Sequence, residues 1–237
     1  MGSTRQSSGS PELSTRARIL RAALQRFATD GLGAPLRSIA ADAGVSPGLI
    51  IHHFTSADGL RQACDHHVVT ETGRSKAEVL TPGIGAAALL AQLAQLTEYV
   101  PLIGYVLRRL QAGGPPARTL VDGFVAEAGR YLRQAEREGT VSRSRDTDAR
   151  ARLLTEQALG GLLLQLPAPG EPLDLAELPI RLSTYADRIV GPALEYYTEP
   201  LLTDSTLLDA YLANRDRKNP HGRSTAEKPE NRDREPS

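Results

Sequence analysis

From Arg16 to Phe54 apolar side chains return every three or four positions, with breaks at Asp30-Gly31 and at Gly44-Val45-Ser46. That spacing predicts a first helix over Arg16–Ala28, a second opening at Pro35, and a short third carrying Leu49, Ile50 and Phe54. Leu36, Ile39, Ala40 and Ala43 place one apolar face on the second helix, and Pro35 suits a first helical position because its missing N–H has no partner to lose there. Gly44 ends that helix, since a residue just past a helix end often takes a left-handed backbone that glycine adopts without steric cost. Ser46 can accept a hydrogen bond from the free N–H groups of the next helix, and Pro47 suits its first position. Two short helices around a tight turn make a helix-turn-helix. The second carries Gly48 in its opening turn, so its leading end has little bulk to keep it from base edges in a major groove.

Beyond Phe54 the same helical spacing continues. Ser56 is placed to cap a helix carrying Leu60, Ala63, Cys64, His67 and Val68 towards Leu80, broken at Thr81-Pro82-Gly83. Further helices are predicted over 85–97, 98–112 and 117–138, the last with Leu120, Phe124, Ala128, Tyr131 and Ala135 on one face. Asp146 or Thr147 caps a helix to Leu166, another runs from about Asp174 to Tyr197, and a short one lies near Ser205–Ala213. Period-two alternation is nowhere sustained, so the fold class is all-α. Two stripes recur on the later helices: Leu153, Leu154, Gln157, Ala158, Gly160, Gly161 and Leu164 on one, Leu178, Leu182, Tyr185, Ile189 and Ala193 on the other. Each stripe fits core packing or a contact between chains.

Composition narrows the class. The 237 residues are 40% hydrophobic, include a single cysteine that cannot close an internal disulfide, and contain no apolar run long enough to span a membrane. Met1 to Pro11 is polar, without the apolar centre of a secretory leader, which sets a cytoplasmic location as the expectation. Twenty-eight basic residues balance 28 acidic ones, yet between 14 and 40 the chain has Arg16, Arg18, Arg21, Arg26 and Arg37 against Asp30 alone. A DNA-binding face needs positive charge on one side only, although a solvated helix face shows the same bias. Residues 1–13 and 214–237 are too polar to offset the entropy of ordering and are expected to be disordered, the first as an arm that can add a phosphate or minor-groove contact.

The ordered set Ile19-Leu20-x-Ala22-Ala23-x-x-x-Phe27, then Ile39-Ala40-x-x-Ala43-Gly44-Val45-Ser46, then His53-Phe54, resembles the DNA-binding domain of the tetracycline-repressor (TetR) family of bacterial regulators, from about Thr15 to Val69. The resemblance implies an N-terminal three-helix DNA-binding domain over 14–70 and a helical effector-binding and dimerisation domain over 71–213. By position it implies that Pro47, Gly48 and Leu49 approach the bases, that Arg37 meets a guanine or a phosphate, and that Ser46, His52 and His53 meet the backbone. Ile51 and Ala57 depart from the family pattern, standing where a phosphate-binding tyrosine and lysine are common. The family pairs its last two long helices across a two-fold axis, which points to Leu153, Gln157, Gly160, Gly161, Leu164, Leu182, Tyr185 and Ile189 as the interface of a homodimer. An effector pocket within the body would draw on Tyr99, Tyr105, Arg108, Phe124, Tyr131 and Gln157, suiting a small, largely apolar molecule. The implied partners are a palindromic double-stranded DNA operator, a small-molecule effector and a second copy of the chain, with no membrane and no cofactor.

Other chemistry is weakly signalled. His52, His53, His66 and His67 with Cys64 and Asp65 can be assembled into a metal site on paper, but adjacent histidines point about 100° apart on a helix and do not chelate as an i, i+4 pair does. No metal site is assigned. Cys64 fits a small buried hydrophobe. There is no nucleophile elbow, phosphate loop or paired-carboxylate motif, so the expectation is a regulator and not an enzyme. The alternative is a family-like ligand- or metal-sensing protein whose DNA binding is weakened or lost.

Overall fold

The computed structural model describes residues 11–166, 173–199 and 201–218, and divides into two compact units, one up to Arg188 and one from Ile189. Among the described residues every regular element is helical. The order is α1 (Pro11–Asp30), α2 (Leu36–Ala43), α3 (Pro47–Phe54), α4 (Ala57–Val79), α5 (Gly85–Ala94), a 3-10 turn (Leu96–Tyr99), α6 (Val100–Ala112), α7 (Gly114–Glu138), α8 (Thr147–Leu163), α9 (Leu178–Thr198) and α10 (Thr206–Lys218). No single helix among them is long and apolar enough to cross a membrane.

Several ends differ from the sequence expectation. The first helix begins at Pro11, inside the arm expected to be loose, because proline at a helix start loses no hydrogen bond; residues 1–10 lie outside the described residues. Likewise α10 takes in Asn214–Lys218 from the expected tail, with Arg215, Arg217 and Lys218 in its last turn, where cations meet the negative end of the helix dipole. Residues 219–237 lie outside the described residues. Pro35 sits one residue before α2 and not within it, with an extended ψ of 136°. Gly113, at φ 63°, separates α6, which ends at Ala112 as expected, from α7, which starts at Gly114, three residues before the expected 117.

One core joins the front of the chain to the following helices. Ile19, Ala23 and Phe27 of α1, Ile39 and Ala40 of α2, Ile50 and Phe54 of α3, and Leu60, Cys64 and Val68 of α4 pack into the same cluster as Tyr105 and Val106 of α6 and Leu120 and Phe124 of α7. The close approach of α1 and α6 is made at Gly104, where a Cβ would press on Ala28 at 3.0 Å. A second cluster holds Val100 and Leu107 of α6 with Leu173, Leu178 and Leu182, and a third joins Ala128 and Leu132 of α7 to Ala151 of α8. The expected seam near residue 70 is crossed by α4, which runs unbroken through it.

Candidate nucleic-acid interface

The turn between α2 and α3 is held by local backbone chemistry. Gly44 adopts φ 63°, ψ 42°, its N–H donates to the Ala41 carbonyl at 3.1 Å, and Val45 N–H donates to the Ala40 carbonyl at 2.9 Å. This pair of bonds satisfies the last carbonyls of α2 and reverses the chain. Ser46 then caps α3, its Oγ accepting from Leu49 N–H at 3.2 Å, and Pro47 occupies the first turn. Ile50 and Phe54 are buried beneath the helix. On its outer side Pro47, Gly48 and His52 are exposed, Leu49 and His53 are half-buried, and Ser46 and Arg37 are exposed beside them. All seven residues expected at DNA therefore belong to the α2–α3 motif, with Ser46 Oγ also engaged as a cap. Ile51 is 42% exposed, an apolar side chain on the same short helix.

The seat of α3 is pinned from three sides. The Arg26 guanidinium of α1 grips Asp42 of α2 through Nε and Nη2, the latter at 2.9 Å, and reaches Asp30 at 3.2 Å. The two carboxylates hold the Arg26 proton more tightly than usual, and hydrogen bonding from Arg26 pulls the Asp42 pKa down. Arg26 thus serves the α1–α2 joint, while Arg18, Arg21 and Arg37 point to solvent. The Arg16 guanidinium stands 5.0 Å over the Phe54 ring at the end of α3. Ser56 Oγ starts α4 by accepting from Gly59 N–H at 2.9 Å, and Arg61 of α4 donates to the Leu32 carbonyl in the α1–α2 loop at 3.1 Å.

Sequence reasoning missed the polar link from this motif to the rest of the unit. Asp65 of α4 accepts from Tyr105 Oη at 2.6 Å and from Arg109 Nε and Nη2 at 3.1 and 2.6 Å, while Tyr105 Oη also lies 3.0 Å from the Arg61 carbonyl. One turn of α6 therefore holds α4 by a bidentate ion pair and a phenol. Burial and the neighbouring Asp65 carboxylate push the Tyr105 pKa up, and the Asp65 hydrogen bond raises that of Arg109 against the opposing effect of burial. Next along α6, Arg108 donates to the Ala28 and Thr29 carbonyls at 3.1 and 3.4 Å, meeting the last carbonyls of α1. The only trace of this in the sequence is Tyr105 and Arg109 one turn apart.

The six residues expected to line an effector pocket do not converge. Tyr105 is fully buried in the α4–α6 link, Phe124 lies in the shared core, Arg108 is bound to α1, Tyr131 packs beside Leu132 and Ala151, Tyr99 is half-buried in the 3-10 turn, and Gln157 is exposed. An open cavity of about 230 Å³ instead lies between the end of α8 and the start of α9, lined by Leu164, Gln165, Ile180, Arg181, Thr184, Tyr185 and Arg188.

The expected dimer residues divide. Leu153 and Leu164 are 54% and 82% exposed, Gln157 is exposed, and Gly160 is half-buried with open space above it. Leu182, by contrast, is buried within its own chain beside Leu107 and Leu178. Gly161 is filled from the same chain too: a Cβ there would overlap the Tyr185 hydroxyl, so this glycine lets α9 approach α8. Ile189, in the second unit, is 40% exposed. Cys64 is fully buried, and burial pushes its thiol pKa up to about 12.

Comparison with known proteins agrees with this architecture. Residues 19–64 match the family described as bacterial regulatory proteins, tetR family, and residues 97–203 match the tetracyclin repressor-like C-terminal domain. The HTH-type transcriptional regulatory protein RaaS of Mycobacterium tuberculosis is 44% identical over 204 residues, covering 86% of this chain and 94% of that protein. A solved structure described as the molecular basis for control of antibiotic production by a bacterial hormone shares the fold at TM-score 0.51 and 19% identity, over 76% of this chain and 97% of the other. GusR of Salmonella enterica aligns at TM-score 0.48 and 22% identity, over 78% and 98%. With both domains matched in order and a relative this similar over nearly its whole length, the chain belongs to the TetR family of transcriptional regulators.

Proposed function

We propose that the protein is a repressor that binds a palindromic DNA operator as a cytoplasmic homodimer and is released by a small, largely apolar effector. The observation that carries the reading is the leading end of α3: Ser46 caps the helix while staying exposed, Pro47 and Gly48 present no long side chain, and Arg37 stands exposed beside them. A helix end of that shape reaches base edges, with Leu49 available to a thymine methyl and Arg37 to a guanine or a phosphate. Ser46, His52 and His53 supply positioning contacts to the backbone. Residues 14–70 act as the DNA-reading part and 71–213 as the effector-binding and dimerisation part.

Dimerisation through the outer faces of α8 and α9 is supported by the exposure of Leu153 and Leu164. A two-fold pair would set its two α3 helices roughly 34–36 Å apart, one turn of DNA. The chemical class of the effector is supported by the aliphatic content of the body helices.

Selection of a binding site from a random DNA library tests the reading. The expected product is a palindrome, and Arg37→Ala should weaken binding to it by about 1–3 kcal/mol. Ala57→Lys should tighten binding to all sequences alike and steepen the salt dependence by about one counterion per subunit, because a phosphate contact carries little sequence information. A chain that selects no palindrome, and gains only non-specific attraction from Ala57→Lys, has a relic DNA-binding part and overturns the proposal.

A further inference from the structure

The last turns of α4 carry a charge that nothing answers. Arg74 is held by Glu71 and Glu78, each at 2.8 Å, and on the facing helix α7 Glu127 is taken by Arg130. Lys76 has no such partner among the described residues, and no carboxylate shifts its titration. Its side chain is open to solvent, yet the protein around it holds the amine pKa below the ordinary lysine value. Exposure and desolvation together describe a group in a recess, whereas a lysine on an outer helix face keeps its hydration.

That recess lies between α5 and α7. Both helices pack on α4 and scarcely meet each other. Gln92 of α5 donates to the Ser75 carbonyl at 2.9 Å, while Val69 and Gly73 approach Gly123 and Glu127 of α7. At 100° per residue Lys76 falls between Ser75 and Gly73, with Thr72 beside it one turn earlier. Among the ten residues of α5 only Gln92 has a polar side chain; none is buried, and none belongs to any of the three core clusters. Ala88, Leu89 and Leu93 are half-buried, and Leu90 is 67% exposed. An apolar helix roughly 15 Å long thus borders an amine without a counter-charge.

We propose that this recess binds a small amphiphile with one anionic head on an aliphatic chain, the head paired with Lys76 and the chain laid along α5. The inference rests on the reading of the protein as responsive to a small, largely apolar effector, and gives that effector a charge and a place. Lys76 supplies a point charge and Thr72 a hydroxyl, a pair suited to a carboxylate or a phosphate alike. Leu89 and Leu93 offer apolar contact to a chain that water would otherwise surround. A neutral apolar molecule in the same place would leave the amine unpaired, so the recess discriminates against it.

Calorimetric titration of the full chain, with each probe kept below the concentration at which it forms micelles, tests the site without DNA. Decanoate and decyl phosphate are the anionic probes, and the tighter of the two names the head. Decanol should bind about tenfold or more weakly than that probe, and acetate, which lacks the chain, should not bind. Lys76→Met should weaken the anionic probe by about tenfold or more and abolish its advantage over decanol, whereas Arg74→Met, which alters a neighbour already paired, should leave both affinities unchanged. Without ligand, Lys76→Met should melt no lower than the unsubstituted chain, because its amine has no partner to lose. Failure of both anionic probes, equal binding of decanol, full affinity in Lys76→Met, or a lower melting point for that variant overturns the site. The effector reading fails separately, as a site that binds with the expected selectivity while affinity for the selected operator stays unchanged.

Discussion

Replacing Asp65 by alanine removes the carboxylate shared by Tyr105 and Arg109 and leaves the Arg109 guanidinium buried without its counter-charge. The side chains of Arg109 and Asp65 are 11% and 18% exposed, so solvent screens the pair only partly. Breaking a buried ion pair by removing one partner costs about 3–5 kcal/mol. Residual exposure here, and the freedom of Arg109 to turn outward, place the expected cost nearer 2–3 kcal/mol. At roughly 2–4 °C per kcal/mol for a chain of this size, the thermal midpoint should fall by about 4–12 °C. Urea denaturation followed by helical circular dichroism measures the loss directly, with Asp58→Ala as the control. Asp58 also pairs with an arginine, Arg61 at 2.6 Å, but its side chain is 79% exposed, and that change should cost under about 1 kcal/mol. Tyr105→Phe should fall between them, since the Asp65–Arg109 pair survives it. If Asp65→Ala and Asp58→Ala shift the urea midpoint equally, the α4–α6 link does not hold the fold as argued.

Gly44→Ala should cost about 1–2 kcal/mol in the same assay, because nothing within 4 Å would touch the new methyl and the penalty is that of the left-handed backbone alone; an unchanged midpoint would mean that the turn relaxes. The Cys64 thiol, raised by burial to about 12, and the Tyr105 phenol, also raised, both favour their protonated forms in the folded chain. Their contribution is intact below about pH 9 and is lost as pH rises towards 12, so stability should fall across that window. Cys64 should meanwhile resist alkylation at pH 8 until urea opens the chain, and rapid native labelling would contradict its burial. Gly161→Ala should destabilise the chain through overlap with Tyr185, with partial rescue by Tyr185→Phe in thermal melts, whereas a residue that met only a second copy would change solution mass and leave the melting of the separated chains alone.

The helix-turn-helix was legible because its information is local. Gly44, Ser46 and Pro47 act on backbone groups within five residues, and each has a conformational or hydrogen-bonding role that its side chain alone implies. The α4–α6 link was illegible for the opposite reason. Asp65 and Arg109 are 44 residues apart in a chain with 28 acidic and 28 basic residues, and nothing in the order of residues says which pair will meet. The glycine stripe on α8 shows a third case: small residues announce a close approach without saying what approaches, and at Gly161 it is Tyr185 of the same chain. Polar aromatics give no better guide, since Tyr105 has the chemistry of a pocket residue but commits its hydroxyl to Asp65 and its ring, 6.0 Å from that of Phe27, to the core.

Affinity and selectivity separate at this interface. Ile50 and Phe54 anchor α3 from below, the Arg26–Asp42 pair fixes α2 against α1, and Arg61, Arg108 and Asp65 tie the surrounding helices together. A helix held that firmly has already met the ordering cost that a loose one would meet on binding. In the proposed reading, Ile51 and Ala57 each lack a phosphate partner, which lowers affinity for every DNA sequence by a similar factor. In that reading discrimination between sequences would rest instead on Arg37, Gly48 and Leu49, whose placement depends on the packing beneath them and not on those two contacts. On the proposed reading, departure from the family pattern at these two positions therefore bears on how tightly the protein would hold DNA and how salt would release it, while the choice of operator would stay with the α2–α3 turn and the core that supports it.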